Sequence, residues 1–103
     1  MRIADVESRT LIPGTEARFV HGDRMTVAYW IFEPGIDLPE HSHPHEQITN
    51  IVEGEFEFTV DGVTEILGPG HYRVIPPDAI HKGRSITTCR IIDVFHPVRE
   101  DYR

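Results

Sequence analysis

Apolar and polar residues alternate with a period of two over 55–60, short apolar runs recur elsewhere, and no helical period lasts beyond two turns. Phe56, Phe58 and Val60 alternate with Glu55, Glu57 and Thr59, which predicts a strand with its aromatic face inward. Asp61-Gly62 is a two-residue hairpin signal of type I′, returning the chain as a strand over 63–67. Gly68-Pro69-Gly70 predicts a turn and 72–75 a short strand. Pro76-Pro77-Asp78 predicts a rigid turn able to hold a cis proline, and 86–95 a last long strand closed by Pro97. Upstream, Met25 to Phe32 is β-branched, aromatic and apolar on both faces, so it should meet a core on one side and a second sheet or a partner subunit on the other. Residues 39–47 read as extended and 48–52 as a strand. The first 24 residues are polar, with extended patches around Leu11-Ile12 and Arg18-Phe19-Val20. Short strands punctuated about every eight to twelve residues predict an all-β, single-domain jelly-roll barrel. Its expected divisions are an amino-terminal arm with the first strands (1–24), a barrel (25–98) and a tail (99–103).

A chain of 103 residues has room for one core. Its formal charge of -7, from 10 basic and 17 acidic side chains, argues against nucleic acid or an anionic membrane as partner. An anionic substrate would have to be held by local positive charge against that field. The lone cysteine, Cys89, excludes an internal disulfide and sits in an apolar run as a structural thiol. No apolar run approaches a membrane span and Met1 to Asp5 lacks a signal-peptide core, so a cytoplasmic protein is expected.

The chemistry gathers in Pro39-Glu40-His41-Ser42-His43-Pro44-His45-Glu46-Gln47. If the segment stays extended, His41, His43, His45 and Gln47 share a face. Imidazole is the commonest side-chain ligand for first-row transition metals, and His81 is the candidate donor from a second segment. His45 follows Pro44, where bending would turn it outward.

Two stretches resemble the motifs of the cupin family. Gly35, His41, His43, Gln47 and Gly54 carry the spacing of the first motif, and Gly70, Pro76 and His81 that of the second. The resemblance implies a cupin-type double-stranded β-helix, with His41, His43, Gln47 and His81 around one divalent transition metal. Nickel, iron, zinc, manganese and copper are all compatible. Three departures are visible: Gln47 stands where glutamate is commoner, His71 replaces the aspartate after Gly70, and Lys82-Gly83 lacks a later asparagine. Within cupins, the histidine run and the tail Asp93 to Tyr102 resemble KdgF-type pectin-degradation proteins, small cupins that open unsaturated uronates to linear keto sugar acids. That resemblance implies active-site roles for Asp93, Phe95 and Arg99, and a small anionic sugar acid as substrate.

An amide ligand leaves the ion its full double charge, which suits holding an anionic oxygen. Asp93 interrupts the apolar run Arg90 to Phe95 and is a candidate general acid/base. Two roles are open to Arg99, clamping a substrate carboxylate or lying exposed near a terminus. Phe95 either stacks on the sugar or fills the core. Lys82 and Arg84 follow His81 and are expected at the barrel mouth. Two other functions compete: an iron dioxygenase acting on a small acid or phenol, which Gln47 disfavours, and a non-catalytic ligand-binding barrel. The two-sided apolar strand and fold-level analogy predict a homodimer.

Overall fold

The computed structural model describes residues 1–103. Its strands are β1 (Thr15–His21), β2 (Thr26–Phe32), β3 (Asp37–His41), β4 (Glu46–Glu53), β5 (Phe56–Val60), β6 (Val63–Leu67), β7 (Tyr72–Ile75), β8 (His81–Ser85) and β9 (Cys89–His96). They build two antiparallel sheets, ordered β1-β2-β9-β4-β7 and β3-β8-β5-β6. The jelly-roll expectation holds. Helical geometry is confined to short 3-10 turns at Ile3–Asp5 and Glu100–Tyr102, and no helix is long and apolar enough to cross a membrane.

The period-two stretches fold as read. Phe56, Phe58 and Val60 are buried, while Asp61 (φ 47°) and Gly62 (φ 81°) supply the two left-handed residues of the hairpin turn. Elsewhere the boundaries move. Leu11 and Ile12 lie in a turn, where the Ile12 carbonyl accepts from both the N–H and the hydroxyl of Thr15. The last strand starts at Cys89 rather than Ile86, and an unforeseen strand, β8, begins at His81. Lys82-Gly83-Arg84 disguises that strand because its inward neighbour needs space. A Cβ on Gly83 would sit 2.2 Å from Cε1 of Phe56. The cis peptide is at His96-Pro97, not in the Pro76-Pro77 turn.

Between the sheets, aromatic rings pack edge to face or tilted in sequence: Phe19 on Trp30, Trp30 on Phe32, Phe32 on Phe56, and Phe56 on Phe58. Phe58 then stacks on His81, its ring centroid 6.1 Å away. The apolar core thus runs directly into a cluster of buried polar side chains: His43, Gln47, Thr49, His81, Asp93 and Arg99.

Candidate metal centre

The histidine stretch is not one strand. β3 ends at His41, the chain bends through 42–45, and β4 begins at Glu46 in the other sheet. Parity along a strand therefore does not create the cluster; the crossing between sheets does. His41 pairs across strands with His81, their ring centroids 4.0 Å apart. His43 hangs from the crossing segment, and Gln47 points inward from β4. One ligating atom from each of His41, His43 and His81 lies within 4.8 Å of the others. His45 is not part of that group, although its carbonyl faces Nδ1 of His43.

Proton counting decides what this cluster can hold. Each Nδ1 faces a backbone carbonyl: His41 that of Pro39 at 2.7 Å, His43 that of His45 at 3.1 Å, and His81 that of Ala79 at 2.9 Å. These contacts favour the Nδ1–H tautomer and leave Nε2 lone pairs facing inward, as metal-binding histidines require. Nε2 of His81 is buried without any partner. Nε2 of His43 lies 3.0 Å from Oε1 of Gln47, which is an acceptor. A neutral imidazole has one proton, yet both nitrogens of His43 face oxygens. Burial and the Arg99 charge push the His43 pKa down, and burial pushes that of His81 to about 4, so a second proton is disfavoured on either ring. A cation between Nε2 and Oε1 satisfies what a neutral imidazole leaves unpaired. The residues fit a divalent metal ion.

Asp93 stands beside this cluster on β9, opposite Thr49. Burial lifts its pKa to about 6, against the pull of Thr49, Gln47, Arg99 and Trp30. The Trp30 indole N–H is directed toward this carboxyl but completes no hydrogen bond to a protein atom. His41, Gln47, Asp93, Phe95 and Arg99 line one open cavity of about 420 Å³, mouth included. Most of its other walls are aromatic.

Arg99 is only 6% exposed, which overturns the solvated alternative. Its Nε and one terminal nitrogen bond both Asp101 carboxylate oxygens, at 3.0 and 2.7 Å, and its guanidinium lies 4.1 Å from the Tyr102 ring centroid. Asp101 thus already holds one bidentate edge of the guanidinium. Phe95 packs in the core, as one of its two expected roles requires, and also lines the cavity. Lys82 is exposed on the outer side of β8, and Arg84 pairs across 3.8 Å with Asp37, so neither faces the metal cluster. Cys89 is fully buried, with its thiol pKa raised by burial, as fits a structural residue. Sequence reading missed Thr49 and Tyr102 as cavity residues and did not choose between Tyr29 and Trp30, of which Trp30 lines the cavity. Thr49 carried a usable signal, sharing β4 parity with Gln47; Tyr102 carried none, because a 3-10 turn delivers it.

A family model described as "Cupin domain" matches residues 28–95. The chain belongs to the cupin family. Among curated proteins, this cupin is 36% identical over 67 residues to polyketide synthase CurC of Streptomyces cyaneus, covering 64% of the chain and 44% of that relative's length. Among solved structures, an RmlC-like cupin from Shewanella frigidimarina NCIMB 400 superposes with a TM-score of 0.94 at 29% identity, covering 100% of this chain and 94% of that one. KdgF from Halomonas sp. superposes with a TM-score of 0.92 at 26% identity, covering 97% of this chain and 94% of that one. The family match ends at Phe95, so the cupin's Arg99 and Tyr102, which help to close the cavity, lie beyond it.

Proposed function

We propose that this cupin is a metal-dependent isomerase that opens 4,5-unsaturated uronates, breakdown products of pectin or alginate, to linear keto sugar acids. The observation that carries the reading is the placement of Asp93 and Arg99 on the cavity that the His41, His43, Gln47 and His81 cluster borders. The likeness to KdgF over nearly the whole chain supports it. The cluster would hold a divalent ion, which would supply Lewis-acid stabilisation of negative oxygen.

The reaction is a proton transfer with bond reorganisation. The anomeric hydroxyl loses its proton, the bond from the anomeric carbon to the ring oxygen breaks, and a carbonyl forms. The released enolate then takes a proton on carbon and becomes the ketone. Asp93, with a pKa near 6, is suited to take the first proton and return it. The guanidinium edge of Arg99 not held by Asp101 would meet the substrate carboxylate. Phe95 and Tyr102 give the sugar ring apolar walls that exclude water.

The test is product identification by NMR in D2O. Deuterium should appear on the carbon that was C4 of the unsaturated sugar, at an enzyme-dependent rate that Asp93→Asn abolishes. Label appearing no faster than in the enzyme-free blank would contradict the reading. A second reading, action on an aromatic polyketide, draws on the CurC match and the aromatic cavity walls; turnover of such a compound without turnover of uronate would favour it.

The homodimer finds support on the outer face of the five-stranded sheet. There Val20, Val27, Val94, Ile48 and Val74 are register neighbours across all five strands. Such a continuous β-branched row suits burial against a second copy. A cytoplasmic setting completes the proposal and agrees with the free, buried Cys89 thiol.

A further inference from the structure

Gln47 can serve a cation only if its amide is turned one way. Oε1 must face the histidines, because the NH2 group would present protons to the ion. An amide is nearly symmetric in shape, so sterics alone do not choose between the two orientations. Something else in the structure must choose.

Thr49 is placed to do so. It is two residues along β4 from Gln47, on the same inward face, and directly opposite Asp93 on β9. Thr49 is 1% exposed, so bulk solvent does not reach it. A hydroxyl has one proton to give. Thr49 gives it to Oδ1 of Asp93 at 2.7 Å, and it accepts from Nε2 of Gln47 at 2.9 Å. With its proton committed to the carboxylate, the hydroxyl presents only lone pairs toward position 47. An amide nitrogen satisfies them, whereas an amide oxygen would set acceptor against acceptor.

We infer that Thr49 is a positioning residue, which through its hydrogen bond to Asp93 locks the Gln47 amide with its oxygen toward the metal. The inference rests on the assignment of His41, His43, Gln47 and His81 as a metal site. It also accounts for an amide at position 47. A carboxylate there would face the Thr49 oxygen with a second acceptor and stand close to the Asp93 charge. Without the hydroxyl, only the pull of Asp93 on the amide nitrogen remains, and the Gln47 amide is released to turn over and donate to Nε2 of His43. That contact is comfortable for the protein and blocks the site to metal. Thr49 thus disfavours the competing, self-satisfied arrangement.

The experiment is a Co2+ titration of the chelator-stripped whole chain against a competing chromophoric chelator, with the cobalt d–d spectrum recorded. Partners that orient metal ligands are worth about 10–100-fold in affinity, so Thr49→Val should weaken Co2+ binding by about that factor. Its spectrum should shift toward that of Gln47→Ala. Thr49→Ser, which keeps the hydroxyl, should restore both affinity and spectrum. In a Gln47→Ala background, Thr49→Val should cost no more than about twofold further, because the two residues act as one unit. If Thr49→Val does not fold, Thr49→Ala runs the same cycle. Native protein that binds Co2+ no better than its Thr49 variants would overturn this inference while leaving the metal site standing. An equal loss in both backgrounds would overturn it too, by making Thr49 a general packing residue. Failure of the native chain to bind Co2+ would overturn the metal assignment and this inference together.

Discussion

Asp93→Asn should stabilise the metal-free protein while removing its acid/base. The carboxyl ionises with a pKa of about 6 in the fold against an ordinary value of 3.8, chiefly because it is buried. The native state therefore binds this proton more tightly than the unfolded chain does, and stability falls as pH rises from 3.8 through 6. The gap corresponds to about 3 kcal/mol, in full force at pH 7. Asparagine keeps an oxygen to accept from Thr49 and carries no charge. His81 works in the opposite direction. Its pKa is lowered from 6.5 to about 4, so the fold resists a proton that the unfolded chain accepts, and stability is lost as pH falls through that window. The two slopes oppose one another in the native protein, His43 adding to that of His81, and the substitution exposes the histidine slope. The assay is urea unfolding of chelator-stripped native and Asp93→Asn protein between pH 4 and 7. The variant should be more stable by about 3 kcal/mol at pH 7, with the advantage shrinking toward pH 4. No gain at pH 7, or one that persists undiminished at pH 4, would refute the reasoning.

Two further substitutions test the architecture. Gly83→Ala should lower stability by about 1–3 kcal/mol in thermal unfolding, because its Cβ would meet the Phe56 ring inside the core; an unchanged midpoint would contradict the close packing. Val94→Asp, at the centre of the β-branched row, should convert a dimer to a folded monomer in sedimentation equilibrium. A monomeric native protein, or a variant that remains dimeric, would remove that face from the interface.

The sequence revealed most where one local rule governed the outcome. Asp61-Gly62 needs two left-handed residues, and Phe56 to Val60 needs one buried face, so the β5–β6 hairpin could be read without tertiary knowledge. β8 could not, because its inward Gly83 is specified by the Phe56 ring across the core rather than by its own neighbours. The histidine stretch is instructive for a different reason. The grouping of His41, His43 and His81 was suggested partly by a strand parity that the structure breaks at 42–45, and His45, which shared that parity, is not among the three. Spacing motifs pointed to the three grouped histidines where periodicity misled. The buried state of Arg99 and the arrival of Tyr102 depend on a tail folding back over the barrel, with the Tyr102 carbonyl accepting from Arg9 and from His21 at 3.3 Å. Those contacts span most of the chain and leave no local pattern.

Uronate ring opening is followed through the conjugated-enol absorbance of a 4,5-unsaturated monouronate. Metal-loaded native protein, its metal content determined, is compared with chelator-stripped protein, with His43→Ala and with an enzyme-free blank. Acceleration is expected from the loaded native protein alone, returning to the stripped sample when metal is restored. Loss of absorbance at the blank rate with fully loaded protein would contradict it.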